Sequence, residues 1–265
     1  MEARNKLYFF YKNTKKLHPQ VEELKAFAES QDFHLVNDPA EANIITSIGG
    51  DGAFLQAVRK TGFRDDCLYL GISTGQLGFY CDFNINAHKD MLEAIRNEQI
   101  EVRKYPIIQV EIDGDTRLYC LNECSIRTST IKVFSIEVYI DNLHFETFKG
   151  DGMIISTPTG SSGYNKSVNG AVIDPKIPCL QVSELASLNN NYYRTLGSAF
   201  VLNQERELTL KIKENINNYP IIGLDNEAYS IRSNKEIKIT LPDRRIKTVK
   251  LKDNSFWHKV QRSFL

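Results

Sequence analysis

The chain has 265 residues, of which 42% are hydrophobic and 25% are charged, and its 33 Lys and Arg residues balance 33 Asp and Glu residues. These are ordinary values for a soluble globular protein with one large domain or two modest ones. Nothing in this neutral charge indicates a general nucleic-acid surface or a polybasic membrane patch.

The N-terminal residues predict neither a signal peptide nor a membrane span. Residues 1–6 are charged, and the apolar run 7–11 that follows is far shorter than the ~20 residues of a span. The five cysteines are irregularly spaced, and Cys120 and Cys124 have no second pair or His cluster that would suggest a metal site. We expect reduced cysteines that act as small apolar residues, and a cytoplasmic protein.

The first hundred residues alternate predicted strands with predicted helices. Helices with one apolar face are predicted from Pro19 onward, over 53–59 and over 87–97, where Met91, Leu92 and Ile95 should face inward. Strands are predicted at 6–12, 32–36, 43–48 and 67–72. This alternation indicates a parallel α/β sheet, with ligands beyond the carboxyl ends of its strands.

From residue 101 the pattern changes to strands joined by short turns. Strands are predicted at 102–113, 116–127, 134–140, 143–149, 152–157, 207–212, 221–224, 237–241 and 248–251. Residues 182–188 are predicted to form a short helix, and 255–264 a helix that packs back on the first domain. We therefore predict an α/β domain of residues 1–100 with the tail 253–265, and a mainly β domain of residues 101–252.

The turn Gly49-Gly50-Asp51-Gly52 lies between a predicted buried strand and a helix. Glycines let the backbone approach a bulky anion, and amides at a helix N-terminus donate to phosphate oxygens. The turn lacks the Gly-Lys-Ser/Thr ending of a P-loop, and Leu55 stands where a dinucleotide-binding fingerprint needs a third glycine. Taken alone, it fits either a phosphate-ligand site or a tight turn in which Asp51 caps the helix.

A second element, Gly150-Asp151-Gly152, leads through an apolar strand into residues 156–164. These nine residues contain five Ser or Thr hydroxyls and end in Tyr164. Hydroxyls and free amides suit a ligand rich in ribose and phosphate, and a tyrosine ring offers a face for a base. The alternative is a solvent-exposed polar loop without a ligand.

Together with Asn122-Glu123, these two elements resemble the NAD kinase family over most of the chain, from residue 43 to residue 230. The stretch 188–198 is similar to the short enzymes of Gram-positive bacteria. Gly-Gly-Asp-Gly alone is shared with diacylglycerol and sphingosine kinases, whereas the Asn-Glu and Thr-Pro-Thr-Gly-Ser pieces are specific. The resemblance implies phosphoryl transfer from ATP to the 2′-hydroxyl of the adenosine ribose of NAD. It also implies NAD bound between the two domains, Mg²⁺ as the divalent metal, and a homotetramer.

The resemblance implies roles for individual residues. Asp51 would be the catalytic carboxylate that approaches the ribose 2′-hydroxyl, beside Gly49, Gly50 and Gly52. The other implied binding residues are Phe79 and Tyr80 near the adenine, Asn122 and Glu123 at adenine and ribose, Asp151, Thr159, Ser162, Gly163, Tyr164 and Ser167 in the segment on the nicotinamide side, and Asp225 near the region of phosphoryl transfer.

The chain departs from the family pattern at three positions. The family usually has Thr and Ala where this chain has Ser162 and Gly163, and related short enzymes often have His where it has Asn226. At the first two positions the chain keeps the one hydroxyl of the family pattern but has two fewer methyl groups. Because relatives usually have Ala at the position of Gly163, we predict that Gly163→Ala is tolerated. The substitution should add roughly 0.4–1 kcal/mol of stability or NAD affinity.

The implied reaction does not require Asp51 to be a strong base. A carboxylate is a weak base towards a sugar hydroxyl, but the nucleophile in phosphoryl transfer loses its proton late, so orienting the hydroxyl and accepting that proton suffices. No lysine lies in the turn, so its amides and Mg²⁺ are expected to meet the charge of ATP. The alternatives are a lipid kinase of the diacylglycerol-kinase type, for which the chain offers no basic membrane-binding helix, and a non-catalytic dinucleotide sensor.

Overall fold

The computed structural model describes residues 4–129, 133–212, 220–231 and 236–265. The chain forms two compact units: unit 1 comprises Met1–Tyr105 and Arg245–Leu265, and unit 2 comprises Pro106–Arg244. The predicted fold class is confirmed, because unit 1 contains a parallel sheet with helices and unit 2 is mainly antiparallel β. Within the described ranges, no helix has the length and apolar character needed to cross a membrane.

The sheet of unit 1 has seven strands in the described residues. They are β1 (Lys6–Tyr11), β2 (His34–Leu35), β3 (Ile44–Ile48), β4 (Leu68–Ser73), β5 (Phe83–Asn84), β6 (Ile100–Pro106) and β19 (Arg245–Leu251). Their order is β2-β1-β3-β4-β19-β6, with β5 beside β4, and β1, β2, β3, β4, β5 and β19 pair in parallel. Because β2 and β3 lie on opposite sides of β1, the strand order reverses there, which in such sheets creates a crevice for ligands.

Four helices accompany this sheet: α1 (His18–Glu29), α2 (Asp51–Lys60), α3 (His88–Arg96) and α5 (Phe256–Phe264). The predicted apolar faces of α1 and α2 are confirmed, with Val21 and Leu24 buried on α1 and Phe54 on α2. On α3 the prediction for Ile95 is wrong. Ala94 is the buried residue of that helix, and Ile95, one position further round, is 40% exposed.

Unit 2 contains two six-stranded sheets in its described part. The first has the order β11-β10-β15-β18-β7-β8, and the second has the order β14-β13-β12-β9-β16-β17. The strands are β7 (Ile108–Ile112), β8 (Thr116–Cys120), β9 (Glu123–Arg127), β10 (Phe134–Ile140), β11 (Leu143–Gly150), β12 (Gly152–Ser156), β13 (Cys179–Leu185), β14 (Phe200–Asn203), β15 (Leu208–Ile212), β16 (Ile221–Leu224), β17 (Glu227–Ser230) and β18 (Glu236–Thr240). Apolar side chains of both sheets form one core.

Several predicted elements differ from the structure. The predicted strand 116–127 is two strands, β8 and β9, which belong to different sheets. The short helix predicted at 182–188 is wrong, because Val182 to Leu185 belong to β13, which pairs with β12. In Leu180-Gln181-Val182-Ser183 apolar and polar residues alternate, which is the period of a strand.

The predicted domain limits also differ at two strands, since unit 1 extends to Tyr105 and so contains most of β6 as well as β19. Residues 245–251 were expected in the second domain, yet β19 lies in unit 1, where Lys247 and Thr248 pair with Leu68 and Tyr69 of β4. Alternation of apolar residues identifies a strand but does not identify the sheet that it joins. The cysteine prediction is confirmed, since all five cysteines are buried and none of them forms a disulfide.

Candidate functional site

The turn Gly49-Gly50-Asp51-Gly52 connects β3 to α2 at the carboxyl edge of the unit 1 sheet. Gly49 has a φ of +148°, and a Cβ there would lie 2.6 Å from the Cβ of Ala53, so this position requires glycine. At Gly50 and Gly52 a Cβ would meet nothing within 4 Å. Packing within the described chain does not require glycine at these two positions, and the open space there would let a ligand approach the backbone.

Asp51 is the first residue of α2, but the interpretation that it caps the helix is wrong. The N-cap residue is Gly50, and the helix start has no side-chain cap hydrogen bond. Instead, the Asp51 carboxylate accepts the N–H of Phe79 at Oδ2 (2.7 Å) and the N–H of Tyr80 at Oδ1 (2.8 Å). Each carboxylate oxygen has two acceptor positions, so the two amides orient Asp51 and leave room for a hydroxyl group.

The loop that supplies these amides approaches the carboxylate closely. A Cβ on Gly78 would lie 2.4 Å from each carboxylate oxygen of Asp51. Gly75, in the same loop, has nothing within 4 Å of its Cβ position. Position 78 therefore requires glycine because the Asp51 carboxylate lies so close, whereas packing does not require glycine at position 75.

The two aromatic residues of this loop differ in what they offer a ligand. The resemblance implies that Phe79 and Tyr80 lie near adenine. Tyr80 is only 3% exposed, and its ring stacks on Phe54 with the centroids 4.8 Å apart, so its side chain belongs to the core. Phe79 is half-buried. Only Phe79 keeps ring surface for a ligand, while Tyr80 contributes its backbone amide to Asp51.

A cavity of about 370 Å³ lies at the reversal of strand order between β1 and β3. Its lining consists of Phe10, Tyr11, Lys12, Thr14, Leu17, Ile48, Gly49, Ala53, Gln56 and Thr74. This lining includes Lys12, whose side chain carries an ammonium group, and Thr14 and Thr74, whose side chains carry hydroxyls. The sequence interpretation missed these residues because only the pairing of β1 with β3 brings the end of β1 to the turn.

In unit 2, Asn122 and Glu123 lie at the break between β8 and β9. The Asp225 carboxylate holds this break, with Oδ1 accepting the N–H of Asn122 at 2.7 Å and Oδ2 accepting the N–H of Leu121 at 2.9 Å. Asp225 occupies the turn between β16 and β17 with a φ of +52°, a conformation that Asp tolerates. The contacts of Asp225 fix the backbone of the Asn122-Glu123 pair.

The loop that follows β12 packs directly on Asn122. The N–H of Thr157 donates to the carbonyl of Asn122 at 2.9 Å, and a Cβ on Gly160 would lie 2.1 Å from that carbonyl oxygen. Thr157 and Ser161 are completely buried, and their hydroxyls donate to backbone carbonyls. The alternative of a solvent-exposed loop is therefore wrong, and the hydroxyls of Thr157 and Ser161 stabilise the fold of the loop.

The other residues of this segment surround that loop, with one exception. Thr159 is buried within it, Ser162 and Gly163 follow, and α4 (Tyr164–Ser167) begins next. Tyr164 lies beside Arg127, whose guanidinium is 5.8 Å from the ring centroid, and the Ser167 hydroxyl donates to the Tyr164 carbonyl at 2.7 Å. The exception is Asp151, which precedes β12 whereas the loop follows it. A five-residue strand spans ~17 Å, so Asp151 is not brought together with Thr159 or Ser162.

Gly163 is less open to a methyl group than the resemblance implies. Its φ of −90° suits any residue, so a positive φ is not the reason for glycine. A Cβ would nevertheless lie 3.2 Å from the carbonyl oxygen of Gly160 and 3.3 Å from Oε2 of Glu123. Both distances are tight, and the predicted gain in stability for Gly163→Ala therefore lacks support in the free protein.

Glu123 carries the most perturbed carboxyl group beside this loop. Burial raises the pKa of Glu123 to about 8, and the negative charge of Asp225 adds to the effect. Its Oε2 is buried and has no hydrogen-bond partner in the part of the chain that the structure describes. A protonated Glu123 is a hydrogen-bond donor as well as an acceptor, which suits contact with a ribose hydroxyl or a base nitrogen.

The raised pKa of Glu123 predicts a pH dependence of stability. Between pH 4.5 and about 8 the native protein keeps a proton that the unfolded chain releases, so this group's stabilising contribution is lost as the pH rises through that window. Glu123→Gln cannot titrate, and thermal melts should show a smaller loss of Tm with rising pH than in the wild type. The exposed Glu205→Gln serves as the control. A Glu123→Gln variant that keeps the wild-type slope contradicts the assignment.

Comparison with known proteins identifies the family. The model described as ATP-NAD kinase N-terminal domain matches residues 8–100, and the one described as ATP-NAD kinase C-terminal domain matches residues 121–251. The chain is 60% identical over 265 residues to NAD kinase 2 of Halalkalibacterium halodurans, covering all of both chains. The chain belongs to the NAD kinase family. A second relative, NAD kinase 2 of Geobacillus kaustophilus, is 62% identical over 263 residues, which cover 99% of this chain and 98% of the relative.

Two solved structures, of an NADH kinase and of an NAD kinase, show the same fold. The yeast NADH kinase complexed with NADH has a TM-score of 0.85 at 15% identity, and the match covers 98% of this chain and 87% of the yeast chain. The NAD kinase from Archaeoglobus fulgidus in complex with ATP has a TM-score of 0.77 at 21% identity and covers 97% and 98%. At these identities the likeness concerns the fold.

Proposed function

We propose that this member of the NAD kinase family transfers the γ-phosphoryl group of ATP to the 2′-hydroxyl of the adenosine ribose of NAD, giving NADP. The Asp51 carboxylate carries the proposal. It stands at the carboxyl edge of the sheet, held by two backbone amides, with open space above Gly50 and Gly52. Relatives with 60% and 62% identity over their whole length, which are named NAD kinase 2, support the same activity.

In this proposal Asp51 orients the ribose hydroxyl and accepts its proton. The amides of Phe79 and Tyr80 occupy one acceptor position on each carboxylate oxygen, which fixes the rotation of the carboxylate. Fixed orientation matters because the transition state is loose and catalysis depends mainly on positioning and electrostatics. In unit 2, Glu123 and Asn122 are proposed to bind the adenosine part, with Asp225 holding their backbone.

The phosphates of ATP are proposed to occupy the cavity beside the glycine turn, where Lys12 provides a cation and Thr14 and Thr74 provide hydroxyls. One ammonium group cannot balance a triphosphate. Among the described residues, no group of three His, Cys, Asp or Glu side chains could hold a metal ion. Mg²⁺ commonly keeps several waters and binds through substrate phosphates, so we propose that it enters as Mg-ATP.

Incubation of the purified protein with ATP and Mg²⁺ tests the substrate. We expect NADP from NAD, detected with an NADP-specific dehydrogenase, and no phosphorylated product from diacylglycerol vesicles. Phosphorylated lipid without NADP would instead establish a lipid kinase. NAD binding in calorimetry without any turnover would establish a dinucleotide sensor.

Gly78→Ala tests whether the loop positions the carboxylate. The added methyl group would displace Asp51 from the two amides, and kcat should fall on the order of tenfold or more because catalysis depends on that position. Gly75→Ala is the matched control, since its methyl group meets nothing within 4 Å, and its kcat should stay close to the wild-type value. Equal kcat values for the two variants would refute a role for this contact.

We also propose the homotetramer and the cytoplasmic location that are typical of such a protein. Large apolar side chains are exposed on unit 2, including Leu143 at 65%, Val201 at 54% and Leu196 at 48%, and burial of such residues favours association of copies. The five free cysteines are compatible with a reducing compartment.

A further inference from the structure

Three charged side chains are buried together inside unit 1. Asp82 is 4% exposed, Lys250 is 0% exposed and Lys259 is 1% exposed. The Lys259 ammonium lies 2.5 Å from Oδ1 of Asp82, and the Lys250 ammonium lies 3.6 Å from the same oxygen. Such charges are retained in an interior only where hydrogen bonds satisfy them, so the acceptors around the two ammonium groups indicate what the cluster does.

Both ammonium groups donate to the loop that holds Asp51. Lys259 donates to the carbonyl of Phe79 at 2.9 Å, and Lys250 donates to the same carbonyl at 3.2 Å and to the carbonyl of Tyr80. The Phe79 carbonyl and the Tyr80 N–H belong to one peptide group, and that N–H donates to Oδ1 of Asp51. A cation on the oxygen of a peptide group polarises its N–H, so each hydrogen bond strengthens the other.

Helix α5 contributes further contacts to the same loop. Its Arg262 donates to the carbonyl of Leu77 at 3.1 Å. The rings of Phe256 and Phe264 lie 5.6 and 6.1 Å from the ring of Phe79. The loop is therefore held by Asp51 through its N–H groups, and by α5 and β19 through its carbonyls and its aromatic ring.

We propose that Lys259 and Lys250 are positioning residues for Asp51, acting through the Phe79–Tyr80 peptide group. The cluster holds the peptide group in place and polarises it, and the peptide group holds the carboxylate. The C-terminal helix thereby contributes to phosphoryl transfer without touching substrate. This inference rests on the proposed role of Asp51 in that reaction.

Lys259→Met tests the inference in the full-length protein. The variant leaves Asp82 and Lys250 as a pair of opposite charges, so no buried carboxylate loses its last cation. We expect kcat to fall about tenfold with the KM for NAD within about twofold, because orientation of Asp51 matters most in the transition state. Amide hydrogen exchange of Phe79 and Tyr80 should become faster. The exposed Lys252→Met, directly after β19, should match the wild type in every measurement.

A combination with Asp51→Asn separates positioning from general structural damage. If Lys259 acts through Asp51, adding Lys259→Met to Asp51→Asn should lower kcat by less than about twofold. A tenfold loss in both backgrounds, or wild-type kcat and amide exchange in folded Lys259→Met, would overturn the inference. If Asp51→Asn alone keeps wild-type turnover, the proposed function of Asp51 fails. The amide exchange of Lys259→Met then still shows whether the lysines hold the loop.

Arg262→Met tests the contribution of α5 to the same loop, and it can be measured even if Lys259→Met does not fold. Arg262 is exposed, and the substitution removes a single hydrogen bond to the loop, the one to the Leu77 carbonyl. Faster amide exchange in residues 77–80 with a smaller loss of kcat, about threefold, is the expected result. Unchanged exchange and unchanged kcat would contradict the role of α5.

Discussion

Asp51→Asn is expected to lower the kcat for NADP formation on the order of a hundredfold or more. Asn keeps the size of the side chain but replaces one acceptor oxygen by an NH₂ group. The variant therefore loses the proton acceptor for the ribose hydroxyl. It also places a donor against the N–H of either Phe79 or Tyr80, which both donate to Asp51 in the wild type. Both effects act on the transition state more than on bound NAD.

Steady-state kinetics and calorimetry together check this expectation. The dissociation constant of NAD should change much less than kcat, by roughly threefold at most. Asp65→Asn, an exposed substitution just after α2, is the control and should retain wild-type kinetics. An Asp51→Asn variant with near-native turnover, or one that loses NAD binding and turnover equally, would contradict the assigned role.

Removal of divalent metal by a chelator is expected to abolish turnover while NAD still binds. The reason is the charge of the donor. The glycine turn contains no lysine, and Lys12 is the one cationic residue among the described residues that line the neighbouring cavity. If the triphosphate binds there as proposed, Mg²⁺ must provide most of the neutralisation. Kinetics in chelator, followed by addition of Mg²⁺ in excess, measure the effect. Full recovery is expected on addition, and an undiminished rate in chelator would refute the requirement.

Local sequence signals predicted the strand, the helix and the sheet that position the candidate site. The apolar strand before the glycine turn and the amphipathic helix after it are β3 and α2, and alternation of strands and helices predicted the parallel sheet. These features depend on short-range periodicity and on the conformations that glycine permits. The position of Asp51 at a strand end could therefore be predicted from neighbouring residues alone.

The partners of Asp51 could not be predicted in this way. The amides of Phe79 and Tyr80 lie 28 and 29 residues further along the chain, and Lys250 and Lys259 contact that loop from 170 to 180 residues away. Backbone donors carry no sequence signature, and a lysine in an amphipathic tail helix usually indicates an exposed face. Only the joining of β19 to β4 brings the end of the chain to the loop.

In the loop 157–162, the amino-acid composition could not show what the hydroxyl groups do. Its composition predicted a ligand-binding surface, yet Thr157 and Ser161 use their hydroxyls to bind backbone carbonyls. Composition does not distinguish a hydroxyl that folds a loop from one that binds a ligand, because both need the same donor and acceptor. The burial of each side chain in the structure distinguishes these two roles of a hydroxyl.

The position of the transferred phosphate tests the central claim most directly. Wild-type protein is incubated with NAD, ATP and Mg²⁺, and the dinucleotide product is isolated and examined by ³¹P NMR and with an NADP-specific dehydrogenase. The account predicts a single product that carries the new phosphate on the 2′-hydroxyl of the adenosine ribose and serves the dehydrogenase as NADP. A phosphate on any other hydroxyl, or no phosphorylated dinucleotide from protein that binds both substrates, would contradict it.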